Sequence, residues 1–288
     1  MLPERHGQER AVQRFEGVQR LVEMEKKKIA QEFNRQARAY DQYAVVQKRM
    51  AHRLMETAVK QIHPKNILEI GCGTGYLTQL LLEQYPDSRL TVIDLAENMM
   101  DCTRKRTRHL SQVQYWVGDA EKINWKSQSY DLIIANAAVH WFSDPGITLN
   151  KLAGSLCSGG VFVCSTFGPD TFQELNTTYT WIEREYHLSS SDPPFYLRNS
   201  HKWKEILQLG GLSDVKTQVC WHRIEYKDCC EFLHAVRRMG GCCSRYVRLP
   251  QEQEPLSAMK HRYNQSYRMK QGGVYATYQI IQLCGRKR

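Results

Sequence analysis

Three carboxylates, one carboxamide and three glycines stand where they could hold a ligand. Glu69 lies two residues before Gly71, and Gly71, Gly73 and Gly75 alternate with Cys72 and Thr74. Asp94, Asp119 and Asn136 each close or directly follow a later short apolar run. Glycines permit positive torsions and close backbone approach to a ligand. A dinucleotide fingerprint would carry its third glycine where Tyr76 stands, beside a pyrophosphate. An acid inside the preceding strand suits a cationic ligand better than a phosphate.

S-adenosylmethionine (SAM) meets that description, since it carries a sulfonium and an ammonium and no phosphate. Asp94 is expected to accept from both ribose hydroxyls, and Asp119-Ala120 to meet the adenine amino group. Any one of these acids alone reads equally well as a helix cap or a solvated turn. Together, in or after successive strands, they indicate a class I SAM-dependent methyltransferase. The fourth-strand run Asn136-Ala-Ala-Val-His-Trp141 lacks the Asn/Asp-Pro-Pro-aromatic turn of enzymes that methylate adenine amino groups.

The elements that must position these residues follow from the pattern of apolar positions. Asn66–Ile70 reads as a strand and the segment from Leu77 as a helix, the opening unit of a doubly wound sheet. Strands are predicted at 90–94, 113–117, 130–136 and 161–166, separated by helices at 97–109 and 145–156. Such alternation gives a parallel sheet with right-handed crossovers. Beyond Phe167 the rhythm breaks into helices at 170–186, 201–209, 229–239 and 255–269, with strands at 215–226 and 275–283. Before the first strand, Ile29, Phe33, Ala37 and Tyr40 recur at helical spacing, and a second amphipathic helix covers 41–55. The fold class expected is therefore α/β: a Rossmann-like class I methyltransferase with a seven-stranded, mostly parallel sheet, a helical N-terminal lid and a helical cap. Residues 1–28 form a charged extension to which no chemistry is assigned. Residues 29–288 form a single domain: lid 29–63, SAM-binding core 64–166, and the remaining sheet with its cap in 167–288.

The chain has 288 residues, 42% of them apolar, enough for a substantial core. No apolar run approaches the length of a membrane span, and the N-terminus is charged, so a monomeric cytoplasmic enzyme away from membranes is expected. Ten cysteines are scattered, several in apolar runs where a thiol acts as a small hydrophobe. Cys229-Cys230 and Cys242-Cys243 lack the gap of zinc knuckles, and no metal site is expected. A net charge of +10 fits an anionic partner, or an ordinary basic enzyme.

A more specific resemblance lies outside the glycine loop. The run Phe33–Gln47 resembles the N-terminal signature of the malonyl-[acyl-carrier protein] O-methyltransferases. So do Asn136–Trp141, Ser165-Thr-Phe-Gly-Pro-Asp-Thr-Phe-Gln-Glu-Leu175, Phe232–Gly240 and Tyr275-Ala-Thr-Tyr278. The match runs from about residue 29 to the C-terminus. It implies methylation of the free carboxylate of a malonyl group carried on phosphopantetheine by an acidic acyl-carrier protein, the methyl ester then priming pimeloyl synthesis for biotin. S-adenosylhomocysteine (SAH) would be the other product. Three departures stand out: the segment 1–28, His140 where the family often has Gln, and Pro194-Phe195 where Arg-Phe is common, with Arg198 a substitute for that arginine.

A carboxylate with a pKa near 4 is already ionised at neutral pH, so no general base is required. Catalysis then rests on alignment and exclusion of water. The cofactor contacts expected are Tyr40, Gln47, Glu69, Gly71, Cys72, Gly73, Gly75, Asp94, Leu95, Met99, Asp119, Ala120 and Asn136. Catalytic contacts are expected from Tyr40, His140, Trp141 and Phe167, with Tyr40 and Trp141 walling the sulfonium by cation–π attraction. Arg198, Arg237 and Arg238 are candidates for the carboxylate or the carrier's phosphate. A free di- or tricarboxylic acid is the alternative acceptor. A nucleic-acid methyltransferase fits the charge, but no added RNA-binding module is visible.

Overall fold

The computed structural model describes residues 21–57, 62–108, 110–188, 197–240 and 249–288. Pro194-Phe195 and Cys242-Cys243 lie outside the described residues. One seven-stranded sheet organises the molecule. Its strands are β1 (Asn66–Ile70), β2 (Arg89–Asp94), β3 (Val113–Val117), β4 (Tyr130–Asn136), β5 (Leu156–Phe167), β6 (Leu212–Tyr226) and β7 (Val274–Lys287). Their spatial order is β3-β2-β1-β4-β5-β7-β6. The first five run parallel, and β7 inserts antiparallel between β5 and β6.

β1, β2 and β4 read as near-continuous apolar runs because helices cover both faces of this part of the sheet. Ile67, Leu68, Leu132, Ile133 and Ile134 are fully buried. On one face they meet α4 (Tyr76–Gln84) through Leu77 and Leu81, on the other α6 (Pro145–Ser155) and α8 (Ser200–Leu209) through Leu152 and Trp203. α5 (Glu97–Arg106) follows β2. The strand order reverses at β1, with β2 on one side and β4 on the other. Ligands of such sheets bind beyond the carboxyl ends of the strands at this switch point. Glu69, the glycine loop and Asn136 all stand there.

Two helical layers close over that end. Residues 21–36 are helical (α1), so the helix is already formed well before its expected start at Ile29. A break at 37–39 leads into α2 (Tyr40–Tyr43) and α3 (Val45–Thr57), where a single helix over 41–55 is expected. The cap comprises α7 (Gln173–Glu185), α9 (Cys229–Arg238) and α10 (Gln253–Ser266). It packs on β7 through an aromatic cluster in which Phe172, Phe232, Tyr263 and Tyr278 are buried. β7 is longer than expected because its antiparallel pairing with β5 continues to Arg286, and β5 begins early at Leu156, which pairs with Tyr130 of β4. No described helix is long and apolar enough to cross a membrane.

Candidate active site

The turn after β1 shows why its glycines are there. Gly71 (φ +70°) passes so close to α-to-β packing that a β-carbon would sit 2.5 Å from that of Ala138. Gly73 (φ +57°) faces open space, where a β-carbon would meet nothing within 4 Å. Gly71 is required by packing, and Gly73 leaves room for a ligand. Gly75 (φ +80°) precedes α4 and packs on Thr103, outside the cleft. Asp94 holds the loop's shape, accepting from the Gly73 amide at 2.8 Å and the Ala96 amide at 2.9 Å. Burial pushes its carboxyl up, and these backbone donors oppose the shift.

Three connected cavities meet at Tyr40. The first, a cleft of about 730 Å³, is lined by Gly71, Gly73, Asp94, Leu95, Met99, Asp119 and Ala120. It is closed by Phe33 and Trp141 from the lid and the turn Val139–Trp141. The second, beneath α2 and α3, is lined by Glu69, Cys72, Gln47, Lys48 and Asn136. The third, under the cap, is about 570 Å³ and is lined by Gln47, His140, Trp141, Phe167, Phe172 and Tyr278. Tyr40 walls all three.

The first two cavities fit SAM on their donor chemistry. Glu69 is buried at the floor of the second, where desolvation pushes its carboxyl up to about 8 against a 2.6 Å hydrogen bond from Thr78. Gln47, which lines both the second and the third cavity, buries its Oε1 with no hydrogen-bond partner among the described residues. A buried acid and an orphaned acceptor together call for a cationic donor, and an amino-acid ammonium supplies it. Asp94 and Asp119 in the adjoining cleft suit hydroxyl and amino donors. Cys72 is held as a neutral thiol by burial, with Asp94 adding to the effect. Asn136 has a structural task beside the cofactor. It donates to the Gln47 carbonyl at 2.9 Å and accepts from Ser165 at 2.5 Å, tying β4, β5 and the lid together.

The lid is latched by polar contacts. Asp41 pairs with Arg106 and accepts from Thr74 at 2.6 Å, and Arg106 donates to the Thr74 carbonyl at 2.9 Å. Asn34 accepts from the Asn98 amide at 2.8 Å. At the other end of α1, Lys26 is buried against Glu121 at 2.5 Å. The segment 1–28, to which the sequence assigns no chemistry, thus reaches the cleft at Lys26.

The third cavity differs in kind. His140 is 5% exposed, its Nδ1 lies 3.2 Å from Thr166 Oγ1, and burial drives its pKa down to about 3. Desolvation, reinforced by Asp94 and Asp41, raises the Tyr40 phenol above its ordinary range. Burial does the same for Tyr278, which is paired with Tyr226 at 2.9 Å. Two wall residues without the excuse of glycine adopt left-handed backbone, Ala137 (φ +52°) and Phe172 (φ +60°). Each costs about 1–2 kcal/mol, strain of the sort found at ligand-binding walls.

The arginines divide. Arg198 stacks over Trp203 at 5.6 Å and is not among the described lining residues, whereas its neighbour Leu197 is. Arg238 donates to Gln36 Oε1 at 3.2 Å and reaches His234 at 3.4 Å, joining cap to lid. Arg237 is exposed at the end of α9. Among the described residues no cluster of His, Cys, Asp and Glu is arranged to hold a metal ion.

Comparison with known proteins agrees with this geometry. Residues 68–164 match the family described as "Methyltransferase domain". The chain is 37% identical over 275 residues to a malonyl-[acyl-carrier protein] O-methyltransferase of Acetivibrio thermocellus, covering 92% of this chain and 95% of that one. A protein of the same name from Anoxybacillus flavithermus is 34% identical, over 92% and 98% of the two chains. Among solved structures, the YcgJ protein of Bacillus subtilis superposes with a TM-score of 0.58 at 17% identity, covering 83% and 98% of the chains. A putative methyltransferase of Bacillus halodurans gives 0.57 at 16%, over 82% and 98%. These two likenesses establish the fold.

Proposed function

This chain belongs to the malonyl-[acyl-carrier protein] O-methyltransferase family, and from that footing we propose that it methylates the free carboxylate of a malonyl group borne by an acyl-carrier protein. SAM, when bound, supplies an electrophilic methyl group on a sulfonium. Glu69 and Gln47 would hold its amino-acid end, Asp94 the ribose and Asp119-Ala120 the adenine. The product methyl ester has lost the acceptor's charge, which suits the ester to chain elongation toward pimeloyl.

One observation carries the choice of acceptor: the described residues lining the third cavity include no working base. Among its described lining residues the titratable groups are Tyr40, His140 and Tyr278. The phenols are shifted up and the imidazole down, so none takes a proton near neutral pH. An alcohol or ammonium acceptor would have to lose a proton there, but a carboxylate arrives ionised. The residues therefore act by position. Tyr40, Trp141 and Phe167 exclude water and shape the passage between cavities, and His140, as a neutral imidazole, offers a hydrogen bond rather than a charge.

The carrier would dock on the cap beside Arg237 and Arg238, its acidity matched by the chain's net charge of +10. The test is transfer of label from SAM to malonyl-carrier protein, malonyl thioester, free di- and tricarboxylic acids and RNA, assayed in parallel. Base-labile label on the carrier protein is expected. Label confined to the free acids, or to RNA, overturns the assignment.

A further inference from the structure

The helix α1 carries a lysine whose position the acceptor chemistry does not explain. Lys26, Ile29 and Phe33 are spaced three and four residues apart, so they share one face, and all three line the cofactor cleft. Lys26 is 9% exposed. Its ammonium lies 2.5 Å from Glu121 Oε2 and 3.7 Å from Asp119 Oδ1, and it donates to the Trp141 carbonyl at 3.0 Å. A buried ammonium is costly unless its donors are met, and here two acceptors and a second carboxylate converge on it.

The acceptors come from two segments: Asp119 and Glu121 from the loop after β3, and the Trp141 carbonyl from the turn Val139–Trp141. Asp119 follows β3, and its Oδ1 also accepts from the Glu121 amide at 3.1 Å. Glu121 accepts from the amides of Ser143 and Asp144 at 3.0 and 3.1 Å and from the Thr148 hydroxyl at 2.9 Å, fixing the start of α6. Trp141 closes the cleft toward the acceptor cavity. Without a cation, Asp119 and Glu121 would present two neighbouring carboxylates that repel.

We propose that Lys26 is a positioning residue of the cofactor site, holding Asp119, Glu121 and the Trp141 carbonyl so that the cleft selects an adenine amino group. The Glu121 amide, with the Lys26 ammonium beside it, engages Asp119 at Oδ1, and Oδ2 is assigned to the amino group. The proposal rests on the SAM half of the reading above and is independent of the acceptor.

The test measures binding of SAH to the full chain by calorimetry, with no acceptor present. S-inosylhomocysteine, which carries a carbonyl in place of the amino group, is the comparison ligand. The wild-type chain is expected to prefer SAH by about tenfold or more, the scale of one lost polar contact in a site built to make it. Lys26→Met is expected to weaken SAH binding by about tenfold and to shrink the preference to about twofold, while Lys26→Arg keeps most of both. If Lys26→Met melts below the assay temperature because Glu121 is left unpaired, Lys26→Met/Glu121→Gln removes both charges and carries the test. A cooperatively melting variant of either kind that retains the wild-type SAH affinity and preference overturns the proposal. Failure of methyl transfer to the carrier protein, with these binding results intact, would instead remove only the acceptor assignment.

Discussion

The cofactor cleft and the acceptor cavity share a wall at Tyr40 but are built on opposite principles. The cleft and its extension under the lid hold Glu69, Asp94 and Asp119, with backbone amides and glycine torsions shaping the space between them. The acceptor cavity holds rings and aliphatic side chains, and its titratable groups are pushed away from neutrality. A cationic donor needs buried anions that it will neutralise. An anionic acceptor about to lose its charge needs a dry space with few fixed charges. The contrast implies that damage to the acids shows as lost cofactor affinity, whereas damage to the rings shows as lost turnover.

The largest effect is expected at Asp94. Asp94→Ala removes both the ribose acceptor and the bonds that shape Gly73, and a charge-assisted bond is worth about 1.5–3 kcal/mol, so SAH affinity falls by about a hundredfold or more. Calorimetry on the folded variant checks this, and a loss below tenfold would break the comparison. At Tyr40, Tyr40→Leu keeps bulk and loses the ring. A ring facing a cation contributes about 0.5–2 kcal/mol, so turnover at saturating cofactor falls by about 3- to 30-fold, with Tyr40→Phe close to wild type. Equal losses in both variants would assign the effect to the hydroxyl.

A smaller effect concerns pH. Burial places the Glu69 pKa at about 8 in the ligand-free chain, so the carboxyl is mostly protonated at neutral pH. A bound ammonium favours the ionised form, and a proton leaves on binding. SAH affinity therefore rises with pH, by at most about tenfold per unit, and levels off above pH 8. Glu69→Gln flattens that slope between pH 6 and 8. The folding linkage has the opposite sense: the raised pKa contributes stability that is full below the unfolded value near 4.5 and is lost as pH rises through 8. The smallest effect is expected at Arg198, which stacks on Trp203 and is not among the described residues lining the cavity. Arg198→Ala should leave kcat/KM for the acceptor within about twofold, since the half-buried guanidinium is engaged by a ring outside the described cavity lining and its stacking contributes about 1 kcal/mol.

The same contrast explains what was legible in the sequence. Glu69, Asp94, Asp119 and Asn136 each stand at a strand end, so the strand pattern alone brings them together at the switch point. Gly73 announces a ligand by its spacing. Val236, Met239 and Tyr278 reach the acceptor cavity from α9 and β7, elements whose packing over the sheet no local pattern specifies. Only the resemblance of Phe232–Gly240 and Tyr275–Tyr278 to a known family points there. Lys26 was concealed by the charge run Glu25–Lys28, although Lys26, Ile29 and Phe33 at helical spacing mark one inward face. Arg198 stands apart from the described cavity lining for a physical reason: Trp203, one turn into α8, offers its guanidinium a ring close by.

A crystal structure with SAH bound decides the arrangement of donor and acceptor around Tyr40. The amino group of SAH is expected beside Glu69 and Gln47, the ribose on Asp94 and the adenine against Asp119 and Ala120, with the sulfur at Tyr40 opening toward His140 and Phe167. SAH lying within the cavity lined by His140, Phe167 and Tyr278, with Glu69 and Asp94 untouched, would contradict this arrangement.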